Sequence, residues 1–303
     1  MIKVVVFISG GILPVLALAT IPTIFYAFMQ SNMEYAISLI VLALLTISIS
    51  YLIRKFVLPT RQLTTIQGFG AVGLSWIFIS LFGTIPYVLS GIDLGYTNIF
   101  FETVSGLTTT GSSILTDIEA VDKSLLIWRS TTQWLGGMGV IVLTITILPL
   151  LGSGGINLFK AESPGPSADR LTPKFKDTAK LLWIVYISLT ILETILLYYS
   201  GLNIFDAFNH SLTTLSTGGF STFNTSVSEF STLSKFIINI FMYLAGTSFI
   251  LLLKTIRSRS LGEFFKSTEF LFYSFMVIST AIIFLFKTIT LDENIFESIN
   301  NAF

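Results

Sequence analysis

Residues 98–113 read Asn98-Ile99-Phe100-Phe101-Glu102-Thr103-Val104-Ser105-Gly106-Leu107-Thr108-Thr109-Thr110-Gly111-Ser112-Ser113, a short apolar run that dissolves into threonine, glycine and serine. A second stretch repeats the plan: Asn203-Ile204-Phe205-Asp206-Ala207-Phe208-Asn209-His210-Ser211-Leu212-Thr213-Thr214-Leu215-Ser216-Thr217-Gly218-Gly219-Phe220-Ser221. Both open on Asn-Ile-Phe, reach Leu-Thr-Thr nine residues later, and end in Thr and Gly. A third Asn-Ile-Phe stands at Asn294–Phe296, just before the chain ends at Phe303.

Each stretch follows a long apolar run. The runs are Val4–Met29, Tyr35–Ile53, Thr65–Leu89, Leu125–Leu151, Leu181–Tyr199, Phe236–Leu253 and Phe270–Phe286. At about 1.5 Å per residue, each is long enough to cross a hydrocarbon core of about 30 Å as a helix. They are continuous rather than alternating, which argues against a barrel. Composition agrees: 52% of the residues are hydrophobic and only 11% charged, with a mean hydropathy of +0.82. Such a chain cannot hide its apolar side chains in one core. The start imitates a signal peptide as far as Ala17-Leu18-Ala19, but the uncharged run continues to Met29 and reads as a span. The expected fold is an all-α membrane protein with about seven transmembrane helices.

The repeating unit is span, short apolar helix, Thr/Gly loop, span. Residues 1–62 form a helix pair outside it. The first copy covers 63–152 and the second 178–253, separated by a cytoplasmic loop at 153–177. A further loop, 254–268, leads to an incomplete third copy at 269–303. Lys3, Arg54, Lys55, Arg61, Lys160, Arg170, Lys174, Lys176, Lys180, Lys254, Arg257, Arg259 and Lys266 fall in alternate connections. Those thirteen of the seventeen basic residues place that side, and the N-terminus, in the cytoplasm.

A short helix that enters a membrane and returns as a loop leaves carbonyls that lipid cannot satisfy, so the loop must be buried in protein or line a watery path. Glycine permits the positive φ that turns successive carbonyls one way. A ring of such oxygens can replace a cation's hydration shell. Two Thr/Gly loops at equivalent places thus read as walls of a cation filter. Net charge is zero without a dense basic patch, so nucleic acid is not an expected partner. No cysteine and the single His210 exclude thiolate and multi-histidine metal centres. A carrier with inverted repeats does not fit copies that re-enter from the same side. A membrane enzyme would need clustered catalytic groups that the spans lack.

The motifs Phe100-Phe101-Glu102 through Leu107-Thr108-Thr109-Thr110-Gly111, Gln133-Trp134-Leu135-Gly136-Gly137-Met138-Gly139, Ala161-Glu162-Ser163-Pro164-Gly165-Pro166, Leu171-Thr172-Pro173 and Gly218-Gly219-Phe220-Ser221-Thr222 stand in one order along the chain. Together they resemble the TrkH-type potassium-uptake subunits of the Trk/Ktr/HKT superfamily. The resemblance implies four M1-P-M2 repeats around a pseudo-fourfold pore axis, in a multi-pass protein of the bacterial cytoplasmic (inner) membrane. It makes Gly111 and Gly219 filter glycines, with Thr109, Thr110, Thr217 and Gly218 offering carbonyls to a potassium ion. Related plant carriers with Ser at the first filter glycine tend to pass Na⁺, so Gly111 favours K⁺. Implied partners are a second copy of the chain, as a homodimer, and a cytosolic nucleotide-binding regulatory subunit of the RCK-type, TrkA-like kind. The third and fourth loops do not appear in this sequence. The expectation is therefore a truncated sequence whose residues 1–303 alone do not conduct K⁺.

Arg129, at the start of the fourth span, either snorkels to the interface or pairs with Glu102 on the first short helix and supports the pore. Glu193 in the fifth span bonds between helices or takes part in proton coupling. His210 is a buried hydrogen-bonding group or a pH sensor. Gly136, Gly137 and Gly139 thin the fourth span for close packing.

Overall fold

The computed structural model describes residues 2–57, 65–151 and 175–289, and all regular structure among them is helical. Helices are numbered α1 to α13 in chain order. The third Asn-Ile-Phe, the Ala161–Pro166 and Leu171–Pro173 motifs, and residues 152–174 of the basic loop lie outside the described residues. The chain divides into two compact units. One holds residues 2–57, 65–151 and 216–226; the other holds 175–215 and 227–289.

The first unit begins with α1 (Ile2–Ala19), α2 (Ile21–Met29) and α3 (Met33–Phe56). The first run was expected as one helix and is interrupted at Thr20. The third run is likewise interrupted at Thr84, between α4 (Thr65–Gly83) and α5 (Ile85–Leu89). Both interruptions carry the same tripeptide, Thr20-Ile21-Pro22 and Thr84-Ile85-Pro86. Proline has no N–H to donate to the preceding turn. Each threonine hydroxyl also bonds back to the turn before it, to the Ala17 carbonyl at 2.8 Å and to the Leu81 carbonyl at 2.7 Å. The signal was present in the sequence and repeats, but hydropathy alone does not register it.

The helices α6 (Tyr96–Leu107) and α7 (Lys123–Leu151) complete the unit's helical set. Its core gathers Leu16, Ile79, Tyr87, Ile99, Leu107 and Trp128. Trp128 is fully buried and its indole N–H donates to the Gly83 carbonyl at 3.1 Å. The Tyr35 hydroxyl donates to the Pro86 carbonyl at 3.1 Å. These bonds fix α7 and α3 against the broken end of α4–α5.

The second unit contains α8 (Phe175–Tyr199), α9 (Ile204–Leu215), α10 (Thr232–Ala245), α11 (Phe249–Ser258), α12 (Gly262–Lys266) and α13 (Thr268–Ile289). The expected straight span Phe236–Leu253 is bent by 97° between α10 and α11. The Tyr243 carbonyl explains the break. It accepts from the Thr247 hydroxyl at 3.0 Å and from the Tyr273 hydroxyl at 3.3 Å. The Thr247 amide, which would have continued the helix, turns to the Leu244 carbonyl at 3.1 Å. Tyr243 and Tyr273 stack with ring centroids 5.3 Å apart, and the Tyr243 and Ser274 hydroxyls lie 2.5 Å apart. A side chain at Gly246 would collide with the Tyr273 hydroxyl.

Among the described residues, Met33–Phe56 and Lys180–Tyr199 are long and apolar enough to cross a membrane, and the bent pair makes a third crossing if it is one span. Leu13–Met29, Gly73–Leu89 and Thr268–Phe284 are shorter apolar helices. Leu44, Leu45 and Leu52 on α3, and Phe272, Phe275 and Ile283 on α13, are exposed. In water this would be costly; against lipid it is the expected outer surface.

Candidate functional site

The helices α6 and α9 have the same length, 12 residues, and each ends directly in its Thr/Gly loop. The loops share a backbone signature. Thr109 and Thr217 both have φ 55°, and Gly111 and Gly219 have φ 77° and 76°. A left-handed residue two positions before a positive-φ glycine is an uncommon backbone for L-residues, and it recurs in both loops. The glycines take this conformation without a Cβ clash. The threonines do not, and each bears about 1–2 kcal/mol of steric cost. Sequence reading assigned positive φ to the glycines and missed it at Thr109 and Thr217.

The spacing corrects the register of the repeat. The shared Asn-Ile-Phe and Leu-Thr-Thr motifs align the copies at 105 residues (Asn98 to Asn203, Leu107 to Leu212). The helix ends and the loop dihedrals align them at 108 (Leu107 to Leu215, Thr109 to Thr217, Gly111 to Gly219). A slip of three residues keeps nearly the same helix face, so the short motif tolerates it. In the structural register, Glu102 corresponds to His210 and Gly106 to Thr214.

Glu102 fastens the first loop to its own helix. Its carboxylate accepts from the Ser113 hydroxyl at 3.0 Å and from the Ile114 amide at 2.9 Å, beyond the loop's far end. The Ser105 hydroxyl donates to the Ser112 carbonyl at 2.5 Å. Arg129 Nε lies 2.6 Å from Glu102 Oε1, and both residues are buried. The same guanidinium donates through Nη1 to the Ser221 carbonyl at 2.8 Å and lies over the Phe220 ring, 3.6 Å from its centroid. A buried ion pair is favourable only when its remaining hydrogen-bonding capacity is used, as it is here.

The second loop, 216–226, packs in the first unit with these groups. Gln133 Oε1 accepts from the Phe220 amide at 3.0 Å. Asn224 clasps the connection after the first loop. Its side-chain oxygen accepts from the Ile118 amide at 2.7 Å and its side-chain nitrogen donates to Asp117 at 2.9 Å. Its backbone amide donates to Glu119 at 3.0 Å. A hydrogen bond from the Asn224 side-chain amide holds the exposed Asp117 carboxyl below its ordinary range. Neither Asn224 nor the role of Gln133 was foreseen; a polar residue in a connection gives no periodic signal.

Of the residues proposed to face the ion, Gly111 and Gly218 meet directly. A Cβ on Gly111 would overlap the Gly218 carbonyl oxygen. The expected close packing is present at Gly136, where a Cβ would overlap the Leu107 carbonyl, and at Gly139, which lies against Trp76. Among the described residues no group of three or more His, Asp or Glu side chains is placed to hold a metal.

In the second unit His210 is buried, with its ring edge-on to Phe230 at 4.9 Å. Glu193 is fully buried beside Thr214, and its oxygens make no hydrogen bond within normal distance among the described residues.

The family profile described as TrkH, cation transport protein, matches residues 31–300. The chain is 34% identical over 290 residues to the Trk system potassium uptake protein TrkH of Halomonas elongata, covering 93% of this chain and 60% of that protein. It is 36% identical over 249 residues to the protein of the same name from Escherichia coli K12, covering 80% and 51%. The crystal structure of the potassium transporter TrkH from Vibrio parahaemolyticus superposes with a TM-score of 0.85 at 25% identity, covering all of this chain and 63% of that one. The chain thus spans between half and two thirds of the length of these proteins.

Proposed function

Since the chain belongs to the TrkH family of cation transport proteins, we propose that it forms part of the ion pathway of a bacterial potassium-uptake system. It is a transporter component rather than an enzyme. The Thr109–Gly111 and Thr217–Gly219 loops supply two walls of a filter in which peptide oxygens stand in for the water around K⁺. Glu102 and Arg129 support that filter from behind. In the whole assembly four such loops surround one axis. The chain lies in the cytoplasmic membrane with its N-terminus inside, pairs with a second copy, and meets a nucleotide-binding regulatory ring on its basic side.

The observation that carries the reading is the meeting of two loops with matching left-handed dihedrals at Gly111 and Gly218. Paired re-entrant backbones of this kind have no use in a lipid-facing turn. The test is Rb⁺ uptake by cells that lack their own potassium-uptake systems and express the gene carrying this sequence. Gly111→Ala is expected to reduce uptake by more than about tenfold, equivalent to roughly 1.4 kcal/mol. Undiminished uptake in a variant that reaches the membrane would refute the assignment.

A further inference from the structure

Gln133 lies on α7, one turn beyond Arg129, and is wholly buried. Because the Phe220 amide is a donor, the carboxamide must present its oxygen to it, which fixes where the nitrogen points. That nitrogen has no acceptor among the described residues. A buried N–H₂ without a partner is costly and calls for a reason.

Its surroundings suggest one. A Cβ at Gly218 would lie 2.7 Å from Gln133 Nε2 and would overlap the rest of the carboxamide, while a Cβ at Gly111 would lie 3.7 Å from the same nitrogen. The unpaired donor therefore sits beside the place where the Gly218 carbonyl touches the first loop. The peptide carrying that carbonyl joins Gly218 to Gly219 and is flanked by glycine on both sides. No Cβ opposes its rotation. The corresponding peptide of the first loop joins Thr110 to Gly111, and the Thr110 hydroxyl lies 2.7 Å from that of Thr108. Only the second loop thus combines a freely turning peptide with an adjacent donor that lacks an acceptor.

We propose that Gln133 is a positioning residue that holds the second loop through Phe220 and offers its free N–H₂ to the Gly218 carbonyl, giving that carbonyl two orientations: toward the ion path, or turned back onto Gln133. The inference rests on the reading of the loops as a potassium filter. The turned orientation competes with K⁺, because a carbonyl bonded to Gln133 cannot coordinate the ion. Removing the donor removes the competitor and raises the fraction of loops ready to bind. Apparent affinity scales with that fraction.

The test measures the K⁺ concentration giving half-maximal thermal stabilisation of the purified full-length protein, alongside half-saturation of Rb⁺ uptake in cells. Gln133→Met removes the donor without adding charge; Gln133→Glu removes it while keeping an oxygen for Phe220. Both are expected to lower the half-saturating K⁺ concentration by about threefold or more. A structural role alone would lower maximal uptake and leave that concentration unchanged or raised, which overturns the proposal. A decrease in the Glu variant only would reflect added charge and also overturns it. Should the Met variant not fold, the ¹⁵N side-chain signal of Gln133 in the unaltered protein decides: it is expected to shift with K⁺ and not with Na⁺, and a signal blind to K⁺ counts against the two orientations. Absence of Rb⁺ uptake and of K⁺-dependent stabilisation in the unaltered protein would instead sink the filter reading itself.

Discussion

The two Thr/Gly loops have the same backbone and different fastenings. The first is tied down by its own short helix, through Glu102 to Ser113 and Ile114 and through Ser105 to Ser112. The second carries a histidine where the first has Glu102, and that imidazole packs edge-on to Phe230. Much of its support comes from the first repeat instead: Arg129 on the Ser221 carbonyl, Gln133 on the Phe220 amide, and Asp117, Ile118 and Glu119 on Asn224. The helix α7 therefore organises both loops. The dihedrals repeat between the loops; the supports do not, because each loop meets different neighbours.

The sharpest way to break this comparison is to remove the shared support. Arg129→Met leaves the Glu102 carboxylate buried without its partner, and should cost about 3–5 kcal/mol of stability. Thermal unfolding in detergent reads it. Adding Glu102→Gln to the same chain should recover part of the loss, because the stranded charge is gone; a strictly additive double variant would mean that the two residues do not act as a pair.

A smaller effect separates the two positive-φ glycines of the loops. A Cβ added to Gly219 would meet nothing within 4 Å, so Gly219→Ala bears only the cost of a left-handed alanine, about 1–2 kcal/mol. Gly111→Ala adds a collision with the Gly218 carbonyl and should lower the melting temperature further. Equal shifts would show that the loops do not touch.

Weaker still is the Asn224 clasp. Asn224→Ala removes exposed hydrogen bonds worth about 1 kcal/mol and should loosen the second loop without unfolding the helices. The chain has no cysteine, so Asp117→Cys with Asn224→Cys can be followed without background, and an oxidant should crosslink the pair in high yield. No crosslink would dispose of the clasp.

The smallest expected effect is on pH. Asp117 titrates below its ordinary range in the folded chain. Its contribution is therefore complete above the usual aspartate pKa and is lost as pH falls through the depressed folded value. The group is fully exposed, so solvent and salt screen it. Stability should therefore not change with pH around neutrality on its account, and Asn224→Ala should move the Asp117 titration upward, as read by carboxyl NMR.

Much of the fold was legible because its causes are local. Long uncharged runs announce membrane helices, and short apolar stretches ending in Thr and Gly announce the two 12-residue helices and the loops after them. The proposed Glu102 and Arg129 partnership followed from the expense of burying either charge alone, and the structure places the two 2.6 Å apart. The Thr-Ile-Pro interruptions were equally local, but a hydropathy average passes over them. The rest depends on partners distant in sequence. The bend after Ala245 needs Tyr273 to capture the Tyr243 carbonyl. The left-handed Thr109 and Thr217 cost energy that only the assembled loops can offset. The true spacing of the copies, three residues from the one the motifs suggest, emerges only when helix ends and dihedrals are compared.

The right-angled turn after α10 has a consequence for the membrane around it. Fourteen residues rise about 21 Å, against a hydrocarbon core of about 30 Å. By itself α10 is thus shorter than a full crossing, and the chain turns by 97° before α11. Within the turn the Gly246 and Thr247 amides bond to the Met242 and Leu244 carbonyls, and the Ser248 carbonyl accepts from the Leu252 amide. The Tyr273 hydroxyl adds a partner for the Tyr243 carbonyl, so a helix can break at a right angle in apolar surroundings with these peptide groups still bonded.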